Sequence, residues 1–328
     1  MDINKVWNSW RDATAFSGVF AVADGAGKAF AKCQGYRNRN EALPVNLDTA
    51  FAIASGTKLF TGLAVCKLMK EKKLCPADKL WDVLPYDLKQ IDRSVTIHQL
   101  LTHTSGIGDY LDEELPDPVA MEQALCDTYP VYHWERLEYY LQMITHLPPK
   151  FPPGTRYGYS NAGYVMLGLA IEAASGVPYQ QYISDAIFRP LSLRHTGFYR
   201  ADDLPANTAR GYLENGRSNV FSLPVIGGAD GGLYTCAADL DALWRAIFDG
   251  RVLSEPMLQT FLHPHAAISD DESYGYGVYI QNGVYYATGG DFGVDFFTAY
   301  LPESQMTVSA LGNMELNTYP LLSAFINQ

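Results

Sequence analysis

The sequence predicts a mixed α/β (α+β) fold: an antiparallel sheet flanked by helices, with a mainly helical segment inserted into it. Three observations carry this. Strand-like runs gather at both ends of the 328-residue chain. Helix-like apolar periodicity occupies the middle. Neither group of strands is large enough for a stable sheet alone, so one sheet drawn from both termini is the economical arrangement.

Taken in order, residues 4–11 predict a short helix with Trp7 and Trp10 on one face. Residues 17–23 (SGVFAVA) and the run after DGAG (KAFAKCQGY) predict a hairpin, because two strand-like runs flank a Gly-rich turn. Residues 56–74 place Leu59, Leu63, Cys66 and Leu68 at helical spacing, and KEKK crowds the end that the helix dipole makes negative. Residues 96–101 and 134–147 are expected to be helical, with the acidic, Pro-containing DYLDEELPDP between them as an exposed loop. Residues 161–174 predict a strongly apolar helix closed by Ser175-Gly176, and 237–248 a further one. Residues 274–281, 284–288, 295–301 and 305–312 are aromatic or β-branched runs separated by turn residues, an antiparallel meander. A helix over about 317–326 closes the chain.

Bulk properties narrow the function classes. Hydrophobic residues make up 48% and charged residues 18%, which suits a sizeable core. The formal net charge of −12 argues against nucleic acid and anionic membrane surfaces as partners. The five cysteines are widely spaced and form no zinc pattern, so they are expected to be reduced and mostly buried. No metal or other cofactor is expected. The N-terminus lacks a secretory signal and no apolar run is long enough to span a membrane, so the chain as given reads as cytoplasmic, or extracytoplasmic if a signal was removed.

Three short motifs can carry chemistry. Ser55-Gly-Thr-Lys58 stands at the start of a predicted helix. A serine there is ordinarily an N-cap worth about 1 kcal/mol. Residues three apart also share a helix face, so Lys58 would lie beside the Ser55 hydroxyl, and a partly buried lysine can accept its proton. The helix N-terminus would favour an oxyanion beside Ser55. Tyr159-Ser160-Asn161, just before the apolar helix, offers a phenol for proton transfer and an amide for positioning. A neighbouring ammonium would favour the Tyr159 phenolate. Tyr36-Arg37-Asn38 has the same spacing at a hairpin end, so the tripeptide alone means little. Ala287-Thr288-Gly289-Gly290 ends a strand-like run, where glycines admit close backbone approach and an edge strand can present an N–H.

Together and in this order, these elements resemble the serine β-lactamase and penicillin-binding-protein superfamily. The branch is that of class C β-lactamases, D-alanyl-D-alanine carboxypeptidases, related esterases and D-amino-acid amidases. The likeness runs over residues 17–312 through DTAFAIASGTKLFTGLA, VTIHQLLTHTSGI, FPPGTRYGYSNAGY and GGADGGLYTCAADL. It implies a β-lactamase/transpeptidase-like fold, with a mixed α/β domain from residues 1–58 and 225–328, a mainly helical domain from 59–224, and the active site between them. It implies that Ser55 forms an acyl-enzyme, that Lys58 and Tyr159 share base and acid duty, and that Asn161 positions. Thr288, Gly289 and Gly290 would bind substrate, with the Ser55 and Gly290 N–H groups as the oxyanion hole. His103 in LTHTSG falls in a block that is structural in the resembling proteins.

One position departs from the pattern. The third motif usually begins with a basic residue that binds a substrate carboxylate, and Ala287 stands there. Such a charge-assisted hydrogen bond contributes about 1.5–3 kcal/mol. The expected activity is therefore serine hydrolysis of a small neutral or cationic ester, amide or peptide. A β-lactamase or D-Ala-D-Ala carboxypeptidase is the second expectation, and a penicillin-binding sensor without turnover the third. The oligomeric state is left open.

Overall fold

The computed structural model describes residues 2–11, 16–26 and 29–327. Its main sheet has eight strands, all antiparallel: β1 Gly18–Ala23, β2 Ala29–Gln34, β3 Ala266–Ala267, β4 Glu272–Tyr274, β5 Tyr279–Gln281, β6 Val284–Asp291, β7 Val294–Leu301 and β8 Met306–Gly312. Their spatial order is β2-β1-β8-β7-β6-β5-β4-β3. The two chain ends are sewn together at β1 and β8, where Phe20 faces Ala310 and Val22 faces Val308. This is the single sheet from both termini that the sequence predicts.

The principal helices are α1 Ile3–Arg11, α2 Thr57–Lys70, α3 Ile97–Leu101, α4 Pro118–Thr128, α5 Asn161–Ser175, α6 Ala237–Phe248, α7 Glu255–Leu262 and α8 Tyr319–Ile326. On one face of the sheet, α1 and α8 bury Trp7, Trp10, Leu321 and Phe325 against Phe20, Val22 and Phe297. Trp7 stacks on Phe20 with ring centroids 5.5 Å apart. The other face meets α6 and, beyond it, the larger core built around α2 and α5. Helix α2 is buried on every side, with twelve of its residues inaccessible. A helix apolar all round belongs at the centre of a fold rather than at its surface.

Several elements differ from expectation. Residues 134–147 form one 3₁₀ turn, Leu137–Tyr140, and a short helix, Leu141–Ile144, rather than one helix, and a further 3₁₀ turn, Val131–His133, precedes them. The buried Trp134, Leu137, Tyr140 and Met143 recur every three residues, which suits the three-residue turn of a 3₁₀ helix and not an α-helical stripe. Residues 274–281 split into β4 and β5, because Gly277 takes φ +89° and turns the chain. Helices α4 and α7 were not foreseen. Both open with proline in the first turn, a residue that reads as a breaker but fits a helix start. Of the described cysteines, Cys66 and Cys236 are buried while Cys33 and Cys75 are exposed, so the expectation of mostly buried thiols holds for only half of them. The side chain of Cys126 lies outside the described residues. No helix among the described residues is long and apolar enough to cross a membrane.

Candidate active site

Ser55 lies in a 3₁₀ turn, Ala54–Gly56, that leads into α2. It does not cap that helix: the N-cap is Gly56, and no side chain caps there. Ala54 holds φ 43°, a left-handed conformation that costs energy for a non-glycine residue. Thr57 secures the turn, donating from Oγ1 to the Ala54 carbonyl at 2.8 Å and accepting from the Leu233 N–H at 3.0 Å. The strained turn thus presents Ser55 to the cavity on a braced backbone.

Lys58 is 2% exposed. Its Nζ lies 2.8 Å from Ser55 Oγ, 2.7 Å from Asn161 Oδ1 and 2.7 Å from the Asp230 carbonyl oxygen. Two of the three partners are carbonyl acceptors. In the free-amine form both N–H bonds are engaged by those carbonyls, which leaves the lone pair for the Ser55 hydroxyl. Burial lowers the Lys58 pKa, against the raising influence of Asp230, Glu113, Asp109 and Asp291.

The second motif arrives from the start of α5. Ser160 is the N-cap, and its Oγ accepts the Gly163 N–H at 3.0 Å. Asn161, one residue inside, accepts from Lys58 and donates through Nδ2 to Glu113 Oε1 at 3.1 Å. The Tyr159 ring centroid is 4.8 Å from Lys58 Nζ. The ammonium was expected to favour the Tyr159 phenolate. Instead burial and the Glu113 carboxylate raise its pKa well above the ordinary phenol range, and the Ser55 hydrogen bond only partly offsets them. Tyr159 is held as a neutral phenol.

Two residues read as loop or scaffold hold this motif. Buried His103 accepts the Ser160 N–H on Nδ1 at 3.1 Å and the Gly158 N–H on its carbonyl at 2.8 Å. Its ring lies 4.5 Å from that of Tyr159. The Nδ1 contact fixes the proton on Nε2, and burial holds the imidazole neutral. Asp109, from the acidic stretch expected to be exposed, is buried, and its carboxylate accepts the Asn161 N–H at 2.7 Å and the Ala162 N–H at 3.1 Å. The acidic composition of that stretch concealed an anion placed against the N-terminus of α5.

Burial pushes the Asp109 carboxyl up to about 6. An unfolded aspartate ionises near about 3.9, so between those values the folded chain retains a proton that the unfolded chain has released. The associated stability is full below about pH 3.9 and is lost as pH rises through about 6. Asp109→Asn is therefore expected to flatten the decline in unfolding free energy between about pH 4 and pH 6, a decline of up to about 1.4 kcal/mol per pH unit from this group. Urea titrations across that range check it.

The third motif lies on β6. Strand β5 pairs only with Val284–Tyr286, so Ala287–Asp291 has β7 on one side and an open edge on the other. Gly289 packs against the Ser55 turn. A Cβ there would meet the Ile53 carbonyl oxygen at 2.1 Å and the Ser55 nitrogen at 2.9 Å, whereas one at Gly290 would meet nothing within 4 Å. Gly289→Ala must push β6 off the nucleophile turn. It is expected to cost about 1–3 kcal/mol and most of the activity, with Gly290→Ala far milder. Melting and rate measurements on the pair test this. Ala287 faces the apolar core and not the cavity.

Ser55, Tyr159, Asn161, Thr288, Gly289 and Gly290 converge on one cavity of about 440 Å³, with Lys58 directly behind Ser55. Leu111, Val131, Tyr140, Tyr199, Pro224 and Phe292 give it apolar walls. Glu113, Asp230, Asp291 and Glu315 also line it, and among the described lining residues none is lysine, arginine or histidine. The Tyr36–Asn38 decoy forms a short strand that does not line the cavity. Asp109, Glu113 and Asp230 were not singled out in the sequence. The one available signal was an Asp in the Gly-rich GGADGG.

A serine, a buried lysine and a Tyr-x-Asn segment thus meet beside an open strand edge at one cavity. The chain belongs to the β-lactamase family, whose model matches residues 9–318. A solved penicillin-binding protein from Bacillus halodurans is 37% identical, superposes with a TM-score of 0.89 and is covered over 98% of its length by 99% of this chain. PbpX of Bacillus subtilis (strain 168), named as a penicillin-binding protein, is 26% identical over 324 residues, 97% of this chain and 75% of PbpX. A D-stereospecific amidohydrolase from Streptomyces shares the fold, with a TM-score of 0.82, at 23% identity over 99% of this chain and 98% of its own.

Proposed function

We propose that the protein is a serine hydrolase that cleaves a small ester or amide through an acyl-enzyme on Ser55. The supporting observation is the coordination of Lys58, with two carbonyl acceptors and the Ser55 hydroxyl within 2.8 Å. Lys58 takes the Ser55 proton as the oxygen attacks the substrate carbonyl. The Ser55 and Gly290 N–H groups receive the oxyanion. Tyr159, a neutral phenol beside Ser55, gives a proton to the leaving oxygen or nitrogen as the carbonyl–leaving-group bond breaks, and regains one from Lys58. Water then attacks the acyl carbonyl, and the serine oxygen leaves with a proton. Asn161 holds Lys58 in place throughout, at the seam between the sheet domain (1–58 and 225–328) and the helical domain (59–224).

Penicillin binding is the second reading, favoured by the 37% identity to the Bacillus halodurans penicillin-binding protein. Against it stand Ala287, the lack of a cation in the described cavity lining, and the four carboxylates found there. A penicillin carboxylate would enter a field of its own sign. The deciding experiment follows hydrolysis of a neutral aryl ester and of benzylpenicillin by the same preparation. The proposal expects ester turnover and little or no loss of penicillin. Rapid penicillin loss would favour a β-lactamase, and a stable penicilloyl adduct without ester turnover would favour a sensor.

A further inference from the structure

We infer that Asp230 and Glu113 select a substrate carrying a positive charge close to the scissile carbonyl. This deepens the proposed function and rests on it. Asp230 does two things at once. Its main-chain oxygen accepts from Lys58 Nζ at 2.7 Å, and its carboxylate accepts from the Tyr110 hydroxyl while lining the cavity. The Asp230 carboxylate and Ser55 line the same cavity, so a charged substituent of a substrate whose carbonyl meets Ser55 can face that carboxylate. Glu113 approaches from a different segment, bound through Oε1 to Asn161 Nδ2.

The two carboxylates thus flank the Ser55–Lys58–Asn161 constellation from separate elements. The only cation among them is Lys58, which is buried and engaged by three partners. The ligand requirement does not come from the acids themselves. A nucleophile on a strained turn, backed by its base and facing a 440 Å³ cavity, is already a place where a substrate must bind. The acids decide its charge. Tyr110 keeps the Asp230 carboxylate fixed, so it does not have to be ordered by each incoming substrate. A bound carboxylate would be repelled at the same place.

The test uses a charge-only pair of acyl groups. Aryl esters of 4-(trimethylammonio)butanoate and of its carbon isostere, 5,5-dimethylhexanoate, have the same shape and differ by one positive charge. The full chain is expected to favour the cationic ester by about tenfold or more in kcat/KM, with the preference shrinking as salt rises. Asp230→Asn and Glu113→Gln should each reduce the ratio, whatever happens to the absolute rates, and the double variant should abolish it. A ratio near one for the unmodified chain, or a ratio untouched by both substitutions, overturns the inference.

Binding of the same two esters to the Ser55→Ala protein, measured by calorimetry, separates this claim from the catalytic one. Tighter binding of the cationic ester, by about tenfold, supports the charge selection even if no ester is ever turned over. Equal binding overturns it even if hydrolysis at Ser55 is established.

Discussion

Ser55→Ala is expected to lower kcat/KM toward any accepted ester by at least about 10³-fold while leaving the fold intact. The acyl-enzyme route ends with the loss of Oγ, and what survives comes from binding and oxyanion contacts alone. The substitution removes no braced contact of the turn, because Thr57 and the main chain hold it. Its melting temperature should therefore stay close to that of the unmodified chain. A steady-state rate series with a melting curve on the same sample checks both halves. Unchanged hydrolysis would remove Ser55 from the chemistry.

Lys58→Met should have the next largest effect, about 10²–10⁴-fold in kcat/KM, the range of a general base. This variant differs from the serine one in stability. Methionine fills the apolar part of the channel but leaves Asn161 Oδ1 and the Asp230 carbonyl without their donor, at about 1–3 kcal/mol for each buried acceptor. The melting temperature should fall. The pH profile of the unmodified chain supplies a matching check: activity should rise with pH as Lys58 deprotonates, at a midpoint below the ordinary lysine value because burial lowers it. Lys58→Arg offers a cation that cannot serve as a base near neutral pH. Retained activity there would reduce Lys58 to an electrostatic role.

Much of this site is legible in the sequence because its spacing is local. Ser55 and Lys58 are one turn apart, and Tyr159 to Asn161 precede a helix whose apolar pattern is unmistakable, so both motifs can be read in a short window. The single sheet also follows from arithmetic on strand number. What escaped has a common physical cause. Asp109 is a buried carboxylate and Asp230 a half-buried one, in segments whose composition describes solvent-facing loops, and only tertiary contact turns Asp109 into the brace of α5 and the Asp230 main-chain oxygen into an acceptor for Lys58. His103 was read as structural, and its contacts with Gly158, Ser160 and the Tyr159 ring show what that structure positions. The direction of the Tyr159 shift was missed for a related reason. Sequence reveals the neighbouring lysine, whereas the desolvation that outweighs it exists only in the packed protein.

The account rests most directly on a covalent bond to Ser55. Acid-quenching the protein within the first turnovers of a neutral aryl ester, followed by intact mass and peptide mapping, tests this. The account predicts an added acyl mass confined to the peptide bearing Ser55, absent from Ser55→Ala and clearing as substrate is exhausted. Ester hydrolysis that proceeds with no adduct on Ser55, or with an adduct on another residue, would contradict it.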